Sequence, residues 1–191
     1  MKVDSILVII QRSNGDVLFS LSLINALYEF FNFPKIDLLV NDDTIALARI
    51  FPNINSIHTF SYKEKEQNRI IQEKNIFTDI FRKYDLSINL TSSDRSVLYA
   101  LLAAKKSISA IEKNIKKSWW KKLFLTHYYY FDNTKHILIN NLEPLNILNI
   151  NHEKLLLAPP ISEKTISEMR IKLDAKGINN FVIFHPSAQY K

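Results

Sequence analysis

The sequence predicts a parallel, Rossmann-like α/β fold, and three observations carry that prediction. Apolar, β-branched runs such as Ile6–Ile10 lack the alternation of a half-exposed strand, so they suit strands buried on both faces. Segments of helical periodicity separate these runs. The two kinds of segment alternate at the spacing of right-handed βαβ crossovers, which implies a parallel sheet.

In chain order, Ile6–Ile10 is the first strand and leads into the polar turn Gln11–Asp16. Val17, Leu21, Ile24, Tyr28 and Phe31 recur at helical spacing, so a helix begins near Asp16 and is closed by Pro34. Ile36–Val40 reads as a second strand, and Thr44–Phe51 as a short helix stopped by Pro52. Ser56–Phe60 is a third strand, followed by a charged helix over Lys63–Lys83. Leu86–Leu90 is the fourth strand, after which Ser92 or Ser93 caps a helix running to Ala104. Ile108–Ile111 is a shorter fifth strand. From Lys113 to Asp132 the periodicity lapses into a basic, aromatic stretch, and a helix covers His136–Leu148.

Residues 1–155 therefore form one domain, and residues 156–191 read as a linker followed by the start of another. Leu155–Ala158 suggests a short strand before Pro159 and Pro160. Ser162 is a good N-cap, Ile161 and Ile166 have hydrophobic-staple spacing, and Gly177 is placed to end a helix over Glu163–Lys176. Phe181–Phe184 then reads as a strand, the first half of a further βα unit.

Composition narrows the functional classes. Of 191 residues, 47% are hydrophobic and 23% charged, which is ordinary for a globular chain. Cysteine is absent, so disulfides, thiolate metal sites and cysteine nucleophiles are excluded. No run of about 18 apolar residues occurs, and the N-terminus lacks signal-peptide features, so the expected location is cytoplasmic. The net charge of +6 favours anionic partners without choosing among them. A single glycine in the first turn cannot form G-x-G-x-x-G, and no G-K-[ST] loop or G-x-S-x-G elbow exists. The histidines at 58, 127, 136, 152 and 185 show no metal-ligand spacing.

What chemistry the residues offer centres on the turn Ser13–Asp16, at the carboxyl edge of the first strand. Ligands of open α/β sheets bind outside that edge. Gly15 permits a tight turn or a close backbone approach. Asp16 would face the crevice as a functional carboxylate, or it caps the following helix and complements its dipole. Lys63, Lys65 and Arg69 follow the third strand at the same edge, and Arg95 follows the fourth; each could receive an anionic group or belong to a solvated face. The segment 113–131 mixes lysines with Trp119, Trp120 and three tyrosines, which suits either an anionic membrane surface or a core packed with aromatics beneath solvated lysines.

The run ILVIIQRSNGDVLFSLSLINAL resembles the opening of glycosyltransferase family 9, the lipopolysaccharide heptosyltransferases, with its Ser-x-Gly-Asp-Val-Leu turn at Ser13, Gly15, Asp16, Val17 and Leu18. IDLLVND, YDLSINLTSSDRS, the His136-led helix ending in LNILNI, and FVIFHPSA continue the resemblance in order along nearly the whole chain. It implies a GT-B architecture of two Rossmann-like domains, with residues 1–155 as the acceptor-binding domain and 156–191 as the beginning of the donor-binding one. It also implies an inverting transfer in which Asp16 is the general base and Ser13, Asn14, Gly15, Lys63 and Arg95 meet the acceptor. His185, Ser187, Ala188 and Lys191 would meet the donor, a nucleotide-sugar with ADP-heptose the family expectation. No cofactor or metal is implied.

The partners expected from this resemblance are a lipid-linked oligosaccharide, the nucleotide-sugar, and an anionic membrane touched through 113–131 at the inner face. The resemblance also implies that this chain is the acceptor-side portion and lacks later donor-side residues needed for turnover. Nucleic acid is not the expected partner. The second reading is a basic nucleic-acid-binding module, or a non-catalytic scaffold, in which the Ser-Gly-Asp turn has no assigned role.

Overall fold

The computed structural model describes residues 2–152 and 155–183, with side chains at all of these except 64–67. The chain divides into two units, Met1–Pro159 and Pro160–Lys191. Among the described residues the first unit holds a six-stranded sheet in the order β3-β2-β1-β4-β5-β6, with every neighbouring pair parallel. The strands are β1 (Ser5–Ile10), β2 (Lys35–Asn41), β3 (Ser56–Phe60), β4 (Tyr84–Asn89), β5 (Ala104–Ile111) and β6 (His127–Tyr130). This order reverses direction between β1 and β4, which makes their carboxyl ends a topological switch point.

Both faces of the sheet are covered, as the continuous apolar strands required. Ile6, Val8 and Ile10 of β1 pack toward Leu21, Ile24 and Leu27 of α2 (Leu21–Phe30) and Leu142 and Leu145 of α7 (Ile137–Ile147). Leu7 and Ile9 pack on the opposite face with Ile76 and Ile80 of α4 (Tyr62–Ile80) and Tyr99, Ala100 and Ala103 of α5 (Asp94–Ala103). Withdrawing each such side chain from water contributes about 1.5–3 kcal/mol, so β1 is the most heavily anchored segment of the domain.

Several expected elements differ in detail. The first long helix is two: α1 (Asn14–Leu18) ends at Phe19–Ser20, and α2 starts afresh, its amide at Ile24 bonded to the Ser20 carbonyl. The helix after β2 shrinks to a 3-10 turn, Asp42–Thr44, and α3 (Ile45–Ala48). α4 is kinked at Asn68, whose backbone leaves the helical region. Ser93, not Ser92, caps α5 by accepting from the Ser96 amide.

The stretch that showed no pattern, 113–132, folds into α6 (Ile115–Phe124) and the edge strand β6. A fully buried lysine explains why the pattern was lost. Lys121 faces inward, with Nζ donating to the Ser92 carbonyl at 2.8 Å and Glu112 at 2.6 Å, and paired with Asp94 at 2.8 Å. Its three ammonium protons thus meet three acceptors, the condition on which a buried charge is tolerable. α6 is thereby pinned to the loop after β4 and to the end of β5.

In the second unit α8 (Glu163–Asp174) starts at Ser162, whose hydroxyl accepts from the Thr165 amide, and Gly177 follows its end at φ +66°. Leu155–Ala158 is not a strand, and Phe181–Ile183 pair with no strand among the described residues. A strand exists only through a neighbour's ladder, so apolar character alone did not suffice at either place. Phe184 lies outside the described residues.

Two outcomes are expected from these networks. Lys121→Ala should cost about 2–3 kcal/mol in urea unfolding, at or below the lower end for a broken buried pair because Asp94 and Glu112 keep access to water. Lys121→Met, which retains the apolar stem, should cost less, and an unchanged midpoint for Lys121→Ala would refute the anchoring role. At the amino end of the sheet, His58 Nε2 lies 3.0 Å from the Tyr84 hydroxyl, which donates to Asp37 at 2.8 Å. Burial lowers the His58 pKa below its ordinary value, outweighing the upward pull of Asp37 and Asp79. The folded state therefore resists protonation more than the unfolded one, so stability present above the unfolded value of about 6.5 is lost as pH falls through the folded value. Calorimetry from pH 7 down to 5 should show a falling Tm that His58→Gln flattens; identical profiles would overturn this.

Candidate active site

The switch point assembles residues from three loops. α1 begins directly after β1 because Ser13 adopts an extended N-cap conformation and its carbonyl accepts from the Val17 amide at 3.0 Å. Asp16, third in the helix, reaches back to the Ser13 amide at 3.3 Å, the carboxylate half of a capping box. Its Oδ2 also accepts from the Ser13 hydroxyl at 3.0 Å and pairs with Arg12 Nε at 3.1 Å. Among the described residues all three donors converge on Oδ2. The carboxylate is about one-fifth exposed, so it is held yet reachable.

The surroundings fix this arrangement. The Arg12 guanidinium lies over the Phe131 ring, 4.4 Å from its centroid, which orients the fork that meets Asp16. Asn141 of α7 donates to the Asp16 carbonyl at 3.2 Å, and Phe19 packs edge-on to His136, the N-cap of α7. The Gln11 amide donates to the Thr91 hydroxyl at 3.0 Å, tying the β1 turn to the β4 loop. That loop is in turn held by Asn89, whose amide nitrogen meets the Thr91 carbonyl, Ser96 and Ser109.

The other expected acceptor residues fall around this crevice in different ways. Asn14 and Gly15 are exposed on the first turn of α1. Gly15 does not have a positive φ, and a Cβ built there meets nothing within 4 Å. The turn itself thus does not demand glycine, and what glycine leaves is bare backbone beside Asp16. Arg95, in the first turn of α5, meets the end of β3 and the start of α4, its guanidinium 3.6 Å from the Phe60 centroid and bonded to the Tyr62 hydroxyl at 3.2 Å. Among the described residues no carboxylate lies within ion-pair distance of it. Lys63 is exposed beside Tyr62 and is not brought into contact with Asp16, while the side chain of Lys65 lies outside the described residues. His185, Ser187, Ala188 and Lys191 also lie outside the described residues.

Sequence reasoning passed over Arg12, Phe131, Gln11 and Asn41. The last two close β1 and β2 as buried amides, and among the described residues neither Gln11 side-chain polar atom nor Asn41 Oδ1 has a partner. Polar side chains ending central strands of a parallel sheet were the available signal. A cleft of about 300 Å³ flanks the site, lined by Ser92, Glu112, Lys113, Phe131, Asp132 and Thr134. In it Asp132 is pulled down to a pKa of about 2 by hydrogen bonds from Thr134 and by Lys113. A roomier cavity of about 570 Å³ between α2 and residues 149–152 stands at the opposite edge of the sheet, away from Asp16.

A doubly wound α/β domain with a held carboxylate at the switch point defines the class. The comparisons supply the relatives. The chain is 29% identical over 184 residues to lipopolysaccharide heptosyltransferase 3 of Escherichia coli and 31% identical over 185 residues to that of strain K12. Each alignment takes in 93% of this chain but 53% and 52% of the relatives, so the chain spans about half their length. Among solved structures, the family 9 glycosyl transferase from Veillonella parvula superposes with a TM-score of 0.74 at 19% identity, over 96% of this chain and 53% of that one. Heptosyltransferase WaaC of E. coli with ADP-2-deoxy-2-fluoro heptose gives 0.66 at 14% identity, over 80% of this chain and 50% of that one. No family model matches the chain. The resemblance read from the sequence is borne out: this chain is similar in sequence to the lipopolysaccharide heptosyltransferases and has the fold of a family 9 glycosyl transferase. These relatives do not favour the nucleic-acid reading of 113–131.

Because glycine is not required by the turn, Gly15→Ala should preserve the fold and raise stability by about 0.4–1 kcal/mol. Thermal unfolding of the variant checks this, and a clear loss of stability would mean the turn needs glycine after all.

Proposed function

We propose that this chain supplies the acceptor-side domain of an inverting glycosyltransferase that moves a heptose-type sugar from a nucleotide-sugar to a lipopolysaccharide-core acceptor. The observation that carries the proposal is the placement of Asp16: at the switch point, partly exposed, with its donors gathered on one oxygen. Oδ2 is held by Arg12 and Ser13, and Oδ1 takes the proton of the acceptor hydroxyl as that oxygen attacks the anomeric carbon. The nucleotide leaves from the opposite face, so the configuration inverts. A positioned carboxylate base contributes typically ~10²–10⁴-fold to such a step.

Binding is divided among the remaining residues. Asn14 and Gly15 give the acceptor sugar a close approach to backbone, and Ser13 keeps the carboxylate aimed. Arg95, spread over Phe60 and Tyr62, offers a cation to a phosphate or carboxylate of an acidic core, with Lys63 on the same edge. A guanidinium stacked on aromatic rings is pre-oriented for such an oxyanion. The donor, ADP-heptose in this proposal, is met by His185, Ser187, Ala188 and Lys191 together with the rest of a second domain, and no metal or cofactor takes part. Reaction at the cytoplasmic side of the inner membrane, on a lipid-linked acceptor, follows from the same reading.

The test is heptose transfer by the full-length protein, with Asp16→Asn as the main variant. Its kcat should fall by roughly 10²–10⁴-fold with acceptor KM unchanged, whereas Gly15→Ala and Arg95→Ala should raise acceptor KM. Retained kcat in Asp16→Asn would remove the base assignment. Failure of any core oligosaccharide to bind the folded chain would remove the acceptor assignment separately.

A further inference from the structure

α6 is built inside out. Asn114 starts it by accepting from the Lys116 amide at 3.0 Å, and its inner side presents Ser118 and the ion-paired Lys121 to the domain. Apart from Trp120, which packs against Val97, Ile111 and Leu125, the large apolar side chains point the other way. Ile115, Trp119 and Leu123 are 72%, 61% and 70% exposed at i, i+4 and i+8, and Phe124 is 64% exposed beside them. Residues at that spacing form one stripe along a helix.

Cations border this stripe. Lys113, Lys116 and Lys117 are exposed around the start of the helix, and Lys122 lies beside the stripe, bonded to the Tyr130 hydroxyl. The one lysine turned inward has its charge consumed by Glu112 and Asp94. At Phe124 the stripe runs into a groove of about 390 Å³ floored by Leu98, Leu101 and Leu102, with Arg82 and Lys105 also lining it. The exposed Tyr128 and Tyr130 stand next to Lys122.

We propose that α6 and this adjoining groove are a docking surface for an anionic phospholipid bilayer, entered by Ile115, Trp119, Leu123 and Phe124 and held by the surrounding lysines. Each feature matches what such an interface demands. Aliphatic and aromatic side chains gain by entering the boundary between head groups and acyl chains, to a depth of about 5–10 Å. Indole and phenol rings settle at that level, lysine stems extend past them to the head groups, and each lysine near an anionic leaflet adds attraction.

Other occupants fit less well. A two-fold contact between copies would set the lysines of one α6 against those of the other. Nucleic acid would satisfy the lysines and could stack on Trp119, but Ile115 and Leu123 have no flat face for a base. The surface is independent of the transfer reaction, and its test needs no sugar.

The experiment is flotation of the 191-residue chain with vesicles of phosphatidylglycerol mixed with phosphatidylcholine, against pure phosphatidylcholine, at low and high salt. A Trp120→Phe background leaves Trp119 as the only indole, so its emission reports insertion directly. Binding to the anionic vesicles at low salt, a blue shift of Trp119, and loss of both at high salt are expected. Lys116→Gln with Lys117→Gln should weaken binding roughly thirtyfold, at about 1 kcal/mol for each lysine. Ile115→Ser with Leu123→Ser, which keeps the Trp119 reporter, should abolish flotation and the blue shift with the circular dichroism spectrum intact, since both side chains are exposed. Absence of flotation at low salt overturns the proposal, as does flotation that both double variants leave unchanged. Loss of self-association in the Ile115→Ser, Leu123→Ser variant without any vesicle binding would reassign the face to contact between copies.

Discussion

Every residue from Ile6 to Ile10 is withdrawn from water on both faces of the sheet, and this double burial constrains what surrounds it. A strand buried on both sides must sit inside a parallel array with helices above and below. Its neighbours are β2 and β4, and the strand order reverses between it and β4, so the turn after β1 opens into the crevice. Gln11–Asp16 has no other place to go. The location of the candidate site is thus a consequence of core packing before any functional side chain is considered.

The crevice is kept in shape by polar groups that replace apolar packing on one face of β4 and β5. Ser87 donates to the Ala100 carbonyl of α5, and Asn89 fans out to the Thr91 carbonyl, Ser96 and Ser109. Small side chains let α5 approach closely, and each buried donor finds an acceptor, avoiding a penalty of about 1–3 kcal/mol per stranded group. The same network fixes the loop leading into α5, the helix that supplies Arg95, and, through Thr91, the turn that supplies Asp16. Two separate loops are therefore referenced to one asparagine at the end of a central strand.

Most of the sheet was legible in the sequence because central strands of a parallel array are continuous and apolar, and β1 to β4 were read within two residues of their ends. The outer part was not. α6 carries Lys121 where a core residue is expected and Trp119 where a solvated one is expected, so its periodicity points the wrong way round. β6 is four residues of His and Tyr at an edge, with Tyr129 alone turned inward. The break between α1 and α2 was hidden because Val17 and Leu21 keep helical spacing across the turn at Ser20. The place of Asp16 after β1 was legible, and its i,i+4 pairing with Arg12 was a local spacing passed over; the Phe131 ring beneath Arg12 comes from a segment more than a hundred residues away, which no local pattern encodes.

Capping and catalysis looked like rival explanations of Asp16 when only the sequence was in view. Under the proposed function the two roles do not compete, because they fall on different atoms. Oδ2 gathers the Ser13 amide, the Ser13 hydroxyl and Arg12 Nε, and with them the whole structural role of closing the first turn of α1. Oδ1 receives no donor among the described residues, so its lone pairs are not committed to the fold. A carboxylate anchored by one oxygen cannot swing away from the crevice, and the conformational cost of aiming the second oxygen has been met during folding. On that proposal the cap is what positions the base. On the same proposal Ser13 and Arg12 would serve chemistry only through Asp16: altering either should misdirect the carboxylate without removing it, a smaller effect than replacing Asp16 itself.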